Sequence, residues 1–240
     1  WALYLQDQSD MDRLKILESK NEGLSCSPRP YDIWSFGNAY DLFGRQDHPG
    51  RVPGQLILQL LYFFTEPGDM VIDPMAGGGT TVDACLIMGR KCLAFDSDPG
   101  VCEKRFDIKL KDAISAIEGL TRRPELILLD PPYYKKMDKE YGENSISRLD
   151  REEYLDYIDK LASAAYAKLG KDGHLALLMS DYTDDDPREE IFIHHYIEIF
   201  EKNGFNVERI IFCPLSTNQV PGDIINKFRD SKKLARISRY

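Results

Sequence analysis

Met70-Val71-Ile72-Asp73-Pro74-Met75-Ala76-Gly77-Gly78-Gly79-Thr80-Thr81 is the stretch on which the fold turns. A short apolar run stops at a carboxylate, bends through three glycines and enters Thr80–Met88, which reads as a helix. Consecutive glycines let the backbone approach a ligand closely, and the N–H groups of an opening helix point at whatever sits there. A phosphate-binding loop would place Lys after the last glycine, where Thr80 and Thr81 stand instead. A dinucleotide-binding G-x-G-x-x-G would need glycine at position 82, which is Val82.

A third reading pairs Asp73 with Asp96. Residues 91–95 form a second apolar run that stops at Asp96, about twenty residues beyond the turn, where a carboxylate can accept both hydroxyls of a ribose. That describes any adenosine-containing cofactor, and it leaves open a turn that is only structural.

The same rhythm continues outward. Leu126–Leu129 is an apolar strand between Pro124 and Asp130. Residues 151–169 carry Tyr154, Tyr157, Ile158, Leu161, Ala165 and Leu169 at helical spacing, and Gly173 precedes a strand at 175–179. A helix over 188–202 closes at Asn203-Gly204, and 205–212 reads as a last strand. Wholly apolar strands alternating with amphipathic helices predict an α/β fold with a doubly wound, mostly parallel sheet covered on both faces. Ligands on such sheets lie at the carboxyl ends of the strands, here at Asp73 and Asp130.

The chain has 240 residues, 42% hydrophobic and 30% charged, as expected of one globular domain. No apolar window is long enough to cross a bilayer and the first residues do not form a leader, so a cytoplasmic location without membrane contact is expected. The first residue is Trp1 and the last five begin a strand-like run, which fits a chain trimmed from a longer protein. Cys26, Cys85, Cys92, Cys102 and Cys213 show neither a C-x-x-C pair nor His at zinc-finger spacing, so reduced structural thiols and no metal are expected. The net charge of −9 is unfavourable for phosphate binding, but residues 227–240 carry six basic side chains, Lys232 and Lys233 among them, against one acid.

Asp130-Pro131-Pro132-Tyr133-Tyr134 leaves the strand Leu126–Leu129. Two prolines stiffen the backbone and remove two N–H donors, leaving the Asp130 and Pro131 carbonyls free to accept. An aromatic amine is a poor nucleophile because its lone pair is delocalised into the ring. Accepting hydrogen bonds from its N–H groups, as Asp130 and a proline carbonyl can, returns electron density to the nitrogen. An aromatic ring at Tyr133 offers a stacking face for a base, which in a duplex must first be flipped out.

Taken together these residues resemble the DNA amino-methyltransferases, the N6-adenine and N4-cytosine enzymes with the class I, Rossmann-like methyltransferase fold. His48-Pro49-Gly50-Arg51-Val52-Pro53-Gly54-Gln55 and the apolar helix that follows resemble the family's segment before the cofactor loop, and the resemblance extends over most of the chain. It implies a seven-stranded sheet and S-adenosyl-L-methionine as cofactor. Asp73, Ala76, Gly77, Gly79 and Thr80 would surround the methionine moiety, Asp96 would hold the ribose and Asp112, in Lys111-Asp112-Ala113, the adenine, with Pro74, Met75 and Ser97 also binding the cofactor. Asp98 is an alternative ribose ligand. Asp130, Pro131, Pro132 and Tyr133 would be catalytic, and an initial Asp in that loop favours adenine N6 over cytosine N4.

The resemblance divides a single domain into an N-terminal segment (1–66), a cofactor-binding half (67–120) and a catalytic half (121–240). Restriction-associated members carry a target-recognition domain, and none is visible here. Sequence recognition is therefore expected from a further terminal region, from a partner protein, or from residues such as Tyr134, Lys135, Gln219, Lys232 and Lys233 contacting nucleic acid. DNA is the favoured substrate, with tRNA or rRNA and a catalytically silent subunit of a complex as alternatives. A nicotinamide-dependent oxidoreductase is the remotest alternative. His194 and His195 lie in an amphipathic helix and are expected to pack or be solvated.

Overall fold

The computed structural model describes residues 27–36, 40–135, 145–182, 186–214 and 238–239. Its elements in order are α1 (Gly54–Phe64), β1 (Met70–Asp73), α2 (Thr80–Met88), β2 (Lys91–Asp96), α3 (Pro99–Lys104), β3 (Ile108–Leu110), α4 (Ala113–Glu118), β4 (Leu126–Leu129), α5 (Arg151–Lys168), β5 (His174–Leu177), α6 (Ile193–Lys202), β6 (Cys213–Pro214) and β7 (Ser238–Arg239). Short 3-10 turns occupy Ile146–Arg148 and Pro187–Glu189.

β1 to β5 form one sheet in the order β3-β2-β1-β4-β5, every pairing parallel. The chain winds outward from β1 to β3, then returns to pair β4 on the other side of β1. The order therefore reverses between β1 and β4, and Asp73 and the residues after Leu129 leave the sheet side by side at that switch point, where open α/β sheets bind ligands.

Alternation along the two central strands builds two cores. Ile72, Ile127 and Leu129 pack against α4, α5 and α6. Val71, Leu126 and Leu128 face α1 and α2. All four residues of β4 are buried, which is why that strand shows no polar alternation. Arg90 ties α1 to α2, donating from Nη2 to the carbonyls of Leu61 (3.1 Å) and Thr65 (2.6 Å) and from Nη1 to that of Met88 (2.6 Å). The Leu61 carbonyl also accepts from the N–H (3.2 Å) and hydroxyl (2.6 Å) of Thr65, so Arg90 completes a cap at the end of α1. Asp150 and Glu153 form a capping box that starts α5.

Three expectations change. Among the described residues the parallel sheet has five strands, not seven, and β6 and β7 pair separately and antiparallel. Residues 205–211 are irregular rather than a strand, and Phe212 makes one bridge, to Ile33. This segment and β5 together line a cavity of about 880 Å³ and form no ladder, and His174 of β5 meets Glu208 only through side chains (3.1 Å). The helix expected from residue 188 starts only at Ile193, because Tyr182 and Ile191 exchange two backbone hydrogen bonds (2.7 and 3.0 Å) and use the groups a helix would need. Cys85 is a buried free thiol, and among the described residues no helix is long and apolar enough to cross a membrane.

Candidate active site

The glycine turn is held from both sides. Asp73, at the tip of β1, is buried and accepts from the Met75 N–H (3.1 Å) and from Thr81. Ala76 donates to the Phe95 carbonyl (2.9 Å), and Gly77 donates to Asp96 Oδ2 (2.9 Å), so the turn is bonded to the end of β2. Gly77 and Gly79 have φ of +48° and +83°, a region that favours glycine. A Cβ on Gly77 would collide with the His48 ring, and one on Gly79 with the guanidinium of Arg105.

Arg105 lies buried behind the turn. It donates to the carbonyls of Gly78 (2.9 Å) and Gly79 (3.4 Å) and pairs with Asp83 (3.2 Å) and Asp107 (2.8 Å). Burial alone would lower its pKa, but the two carboxylates raise it above the ordinary arginine value. Asp83 also accepts from the Gly44 N–H (2.7 Å), and Arg45 donates its N–H to the Gly78 carbonyl (2.9 Å). The segment carrying His48 is thereby anchored against the turn.

In front of the turn is a pocket of about 510 Å³, within the range of small-molecule sites. The carboxylates of Asp73, Asp96, Asp112 and Asp130 all line it. Burial pushes the Asp73 carboxyl up to about 7, aided by the charges of Asp130 and Asp96 and opposed by its bonds from Thr81 and Met75. Burial also raises Asp96, against the N–H groups of Asp98 and Gly77, and lowers His48, which Asp96 partly offsets. A cation entering this pocket meets acids that gain by ionising.

Asp73 has a testable signature. Its folded pKa lies above its ordinary value of 3.8, so the folded state holds the extra proton between about pH 4 and 7. The stability contributed by that proton is complete below pH 4 and is lost as pH rises to 7. Asp73→Asn is expected to flatten this dependence, by up to roughly 4 kcal/mol across the window. Chemical denaturation of both forms at pH 4.5 and 7.5 measures it, and parallel pH profiles would refute a buried protonated Asp73.

Of the residues expected at a cofactor site, Asp73, Pro74, Met75, Ala76, Gly77, Thr80, Asp96, Ser97 and Asp112 line the pocket. Gly79 does not; it caps α2 and faces Arg105. Asp98 caps α3, with Oδ1 accepting from Gly100 (2.8 Å), and also lines the pocket. Asp112 caps α4, accepting from Ser115 (3.0 Å), while its other oxygen accepts from the Tyr157 hydroxyl (3.4 Å).

From the second motif Asp130 and Pro132 reach the pocket, Pro131 is buried behind them, and the Tyr133 hydroxyl donates to Asp130 Oδ1 (3.1 Å). Tyr134 points away. It is fully buried against Tyr154 and donates to Glu189 (2.6 Å), so the structure places it in the core rather than on a substrate surface. Lys135, at φ +49°, pairs with Glu189 (2.7 Å). Gln219, Lys232 and Lys233 lie outside the described residues. Tyr157 and Arg105 carry no motif; in the sequence one reads only as part of an apolar helical face and the other as a surface cation.

Residues 6–107 match the family model described as DNA methylase. Over that stretch the chain is similar to the DNA amino-methyltransferases. The type II methyltransferase M.MjaII of Methanocaldococcus jannaschii is 30% identical over 118 residues, which are 42% of this chain and 22% of that protein. The DNA adenine methyltransferase YhdJ of Escherichia coli is 30% identical over 103 residues, 40% of this chain and 33% of that protein. The chain thus spans a third or less of the length of these two relatives. A SAM-dependent methyltransferase structure from Archaeoglobus fulgidus superposes with a TM-score of 0.49 at 17% identity, covering 77% of this chain and 88% of that one.

The methyltransferases that the chain resembles use S-adenosyl-L-methionine, and the pocket fits it. Four carboxylates face a space that a sulfonium and an ammonium would occupy, and the glycine turn presents bare backbone to it. When bound, this cofactor supplies an electrophilic methyl group on sulfur.

Proposed function

We propose that the chain is a single methyltransferase domain that methylates the exocyclic amino group of a DNA base, adenine N6 in preference to cytosine N4. One observation carries this reading: Asp130 and Pro132 open into the same pocket as Asp73, Asp96 and the glycine turn. In it, Asp73, Pro74, Met75, Ala76, Gly77 and Thr80 bind the methionine moiety and Gly79 shapes their turn. Asp96 and Ser97 hold the ribose, and Asp112 with Tyr157 holds the adenine. The amine of the flipped base donates to Asp130 and to the Pro131 carbonyl, while Tyr133 releases Asp130 and stacks on the base. Holding reactants in line supplies roughly 7 to 11 kcal/mol of the barrier reduction. Asp130 as the loop's first residue favours adenine, and the family and its relatives' names favour DNA.

The test is transfer from methyl-labelled cofactor to unmethylated DNA and to tRNA and rRNA, followed by digestion and mass spectrometry of the nucleosides. N6-methyladenosine in DNA is expected. N4-methylcytosine would overturn the base, label confined to RNA would overturn DNA, and no transfer would overturn the activity.

A further inference from the structure

The catalytic loop has a support problem that its own sequence creates. Pro131 and Pro132 have no N–H, so two consecutive residues cannot be tied down through backbone donors. The support comes from two buried tyrosines on the helices behind it. Tyr154 on α5 is fully buried and its hydroxyl donates to the Pro132 carbonyl (3.2 Å). The Tyr134 backbone and the hydroxyl of Tyr196 on α6, itself 1% exposed, lie beside the same oxygen. A tyrosine hydroxyl has one proton to give, and this one gives it to the Pro132 carbonyl. Burial holds both phenols well above their ordinary pKa, which keeps their protons in place.

The Pro132 carbonyl that Tyr154 engages precedes Tyr133, and the Tyr134 backbone beside the same hydroxyl follows it. Between them, the Tyr133 hydroxyl donates to Asp130 Oδ1 (3.1 Å). We propose that Tyr154, held by Tyr196, is a positioning residue that clamps the backbone around Tyr133 and so sets where Asp130 and the Pro131 carbonyl meet the target amine. The proposal rests on reading 130–133 as the catalytic loop. It separates the tyrosines by role: Tyr133 touches the base, whereas Tyr154 and Tyr196 act through the loop.

Tyr154→Phe keeps the ring that packs on Tyr134 (centroids 5.4 Å apart) and removes only the hydroxyl. Hydrogen exchange of the peptide containing Tyr134 reads the clamp whatever the activity is. A rise of about tenfold or more in exchange of that amide is expected as the loop loosens on losing the buried hydrogen bond to the Pro132 carbonyl. With wild-type transfer established, kcat should fall about 10- to 100-fold, as for a misplacement of about 1 Å, with the dissociation constant for S-adenosylmethionine changed less than about twofold. Tyr196→Phe, one step further from the loop, should move both readouts the same way by less. Unchanged exchange in Tyr154→Phe overturns the clamp, and faster exchange with unchanged kcat overturns its part in positioning. Absence of methyl transfer by the wild type refutes the proposed function, and the exchange result still decides the clamp.

Discussion

Asp130→Ala is expected to reduce methyl transfer by about 100- to 1000-fold, the loss typical of removing one preorganised group aimed at charge that develops in the transition state. The reason lies in the substrate. An exocyclic amine acquires positive charge as its nitrogen attacks, and a carboxylate accepting its N–H stabilises that charge more in the transition state than in the ground state. Affinity for S-adenosylmethionine should change only a few-fold, because Asp73, Asp96 and Asp112 still line the pocket. Asp130→Asn, which keeps a neutral acceptor, should lose less than Ala. Single-turnover transfer, with cofactor binding measured separately by calorimetry, separates these effects. Full activity in Asp130→Ala would remove this residue from the chemistry.

Arg105→Met should destabilise the whole domain and weaken cofactor binding together. Arg105 is 6% exposed and Asp83 3%, so deleting the guanidinium removes the counter-charge it gives a buried carboxylate and one of the two donors to each of the Gly78 and Gly79 carbonyls, which keep the N–H groups of Arg45 and Asp83. Breaking one side of a buried ion pair costs about 3 to 5 kcal/mol. In a domain of this size that corresponds to a fall of roughly 10 °C or more in Tm. Arg105→Lys should be intermediate, since an ammonium cannot reach both carbonyls and both carboxylates as a planar fork does. Gly78 and Gly79 would lose their rear support, so cofactor affinity should drop even at temperatures where the variant is folded. Thermal unfolding with and without S-adenosylmethionine measures both. A Tm within 2 °C or so of the wild type would show that water replaces the guanidinium at little cost.

The tyrosines at 133 and 134 mark the limit of reading from sequence. Adjacent aromatic residues in a turn look equivalent in a sequence, and both were expected to meet the substrate. Tyr133 bonds to Asp130, whereas Tyr134 is sealed between Tyr154 and Glu189. The direction of each ring is set by α5 and by residue 189, at separations of 20 and 55 positions from Tyr134. No local pattern encodes that.

What the sequence determined by itself was local. A strand ending in Asp73, a turn that only glycine can make, Thr80–Met88 as a helix, and a rigid Asp-Pro-Pro-Tyr after an apolar strand each depend on neighbours within a few residues. The resemblance to the DNA amino-methyltransferases followed from that order of motifs. The tertiary structure decided everything that depends on distant segments meeting: that β1 and β4 are adjacent so that Asp73 and Asp130 share one pocket, that Arg105 fills the space a side chain at Gly79 would need, and that Tyr157 reaches Asp112. It also decided that residues 205–211 form no ladder with β5. A strand is made by a partner at hydrogen-bonding distance, and only packing fixes that distance.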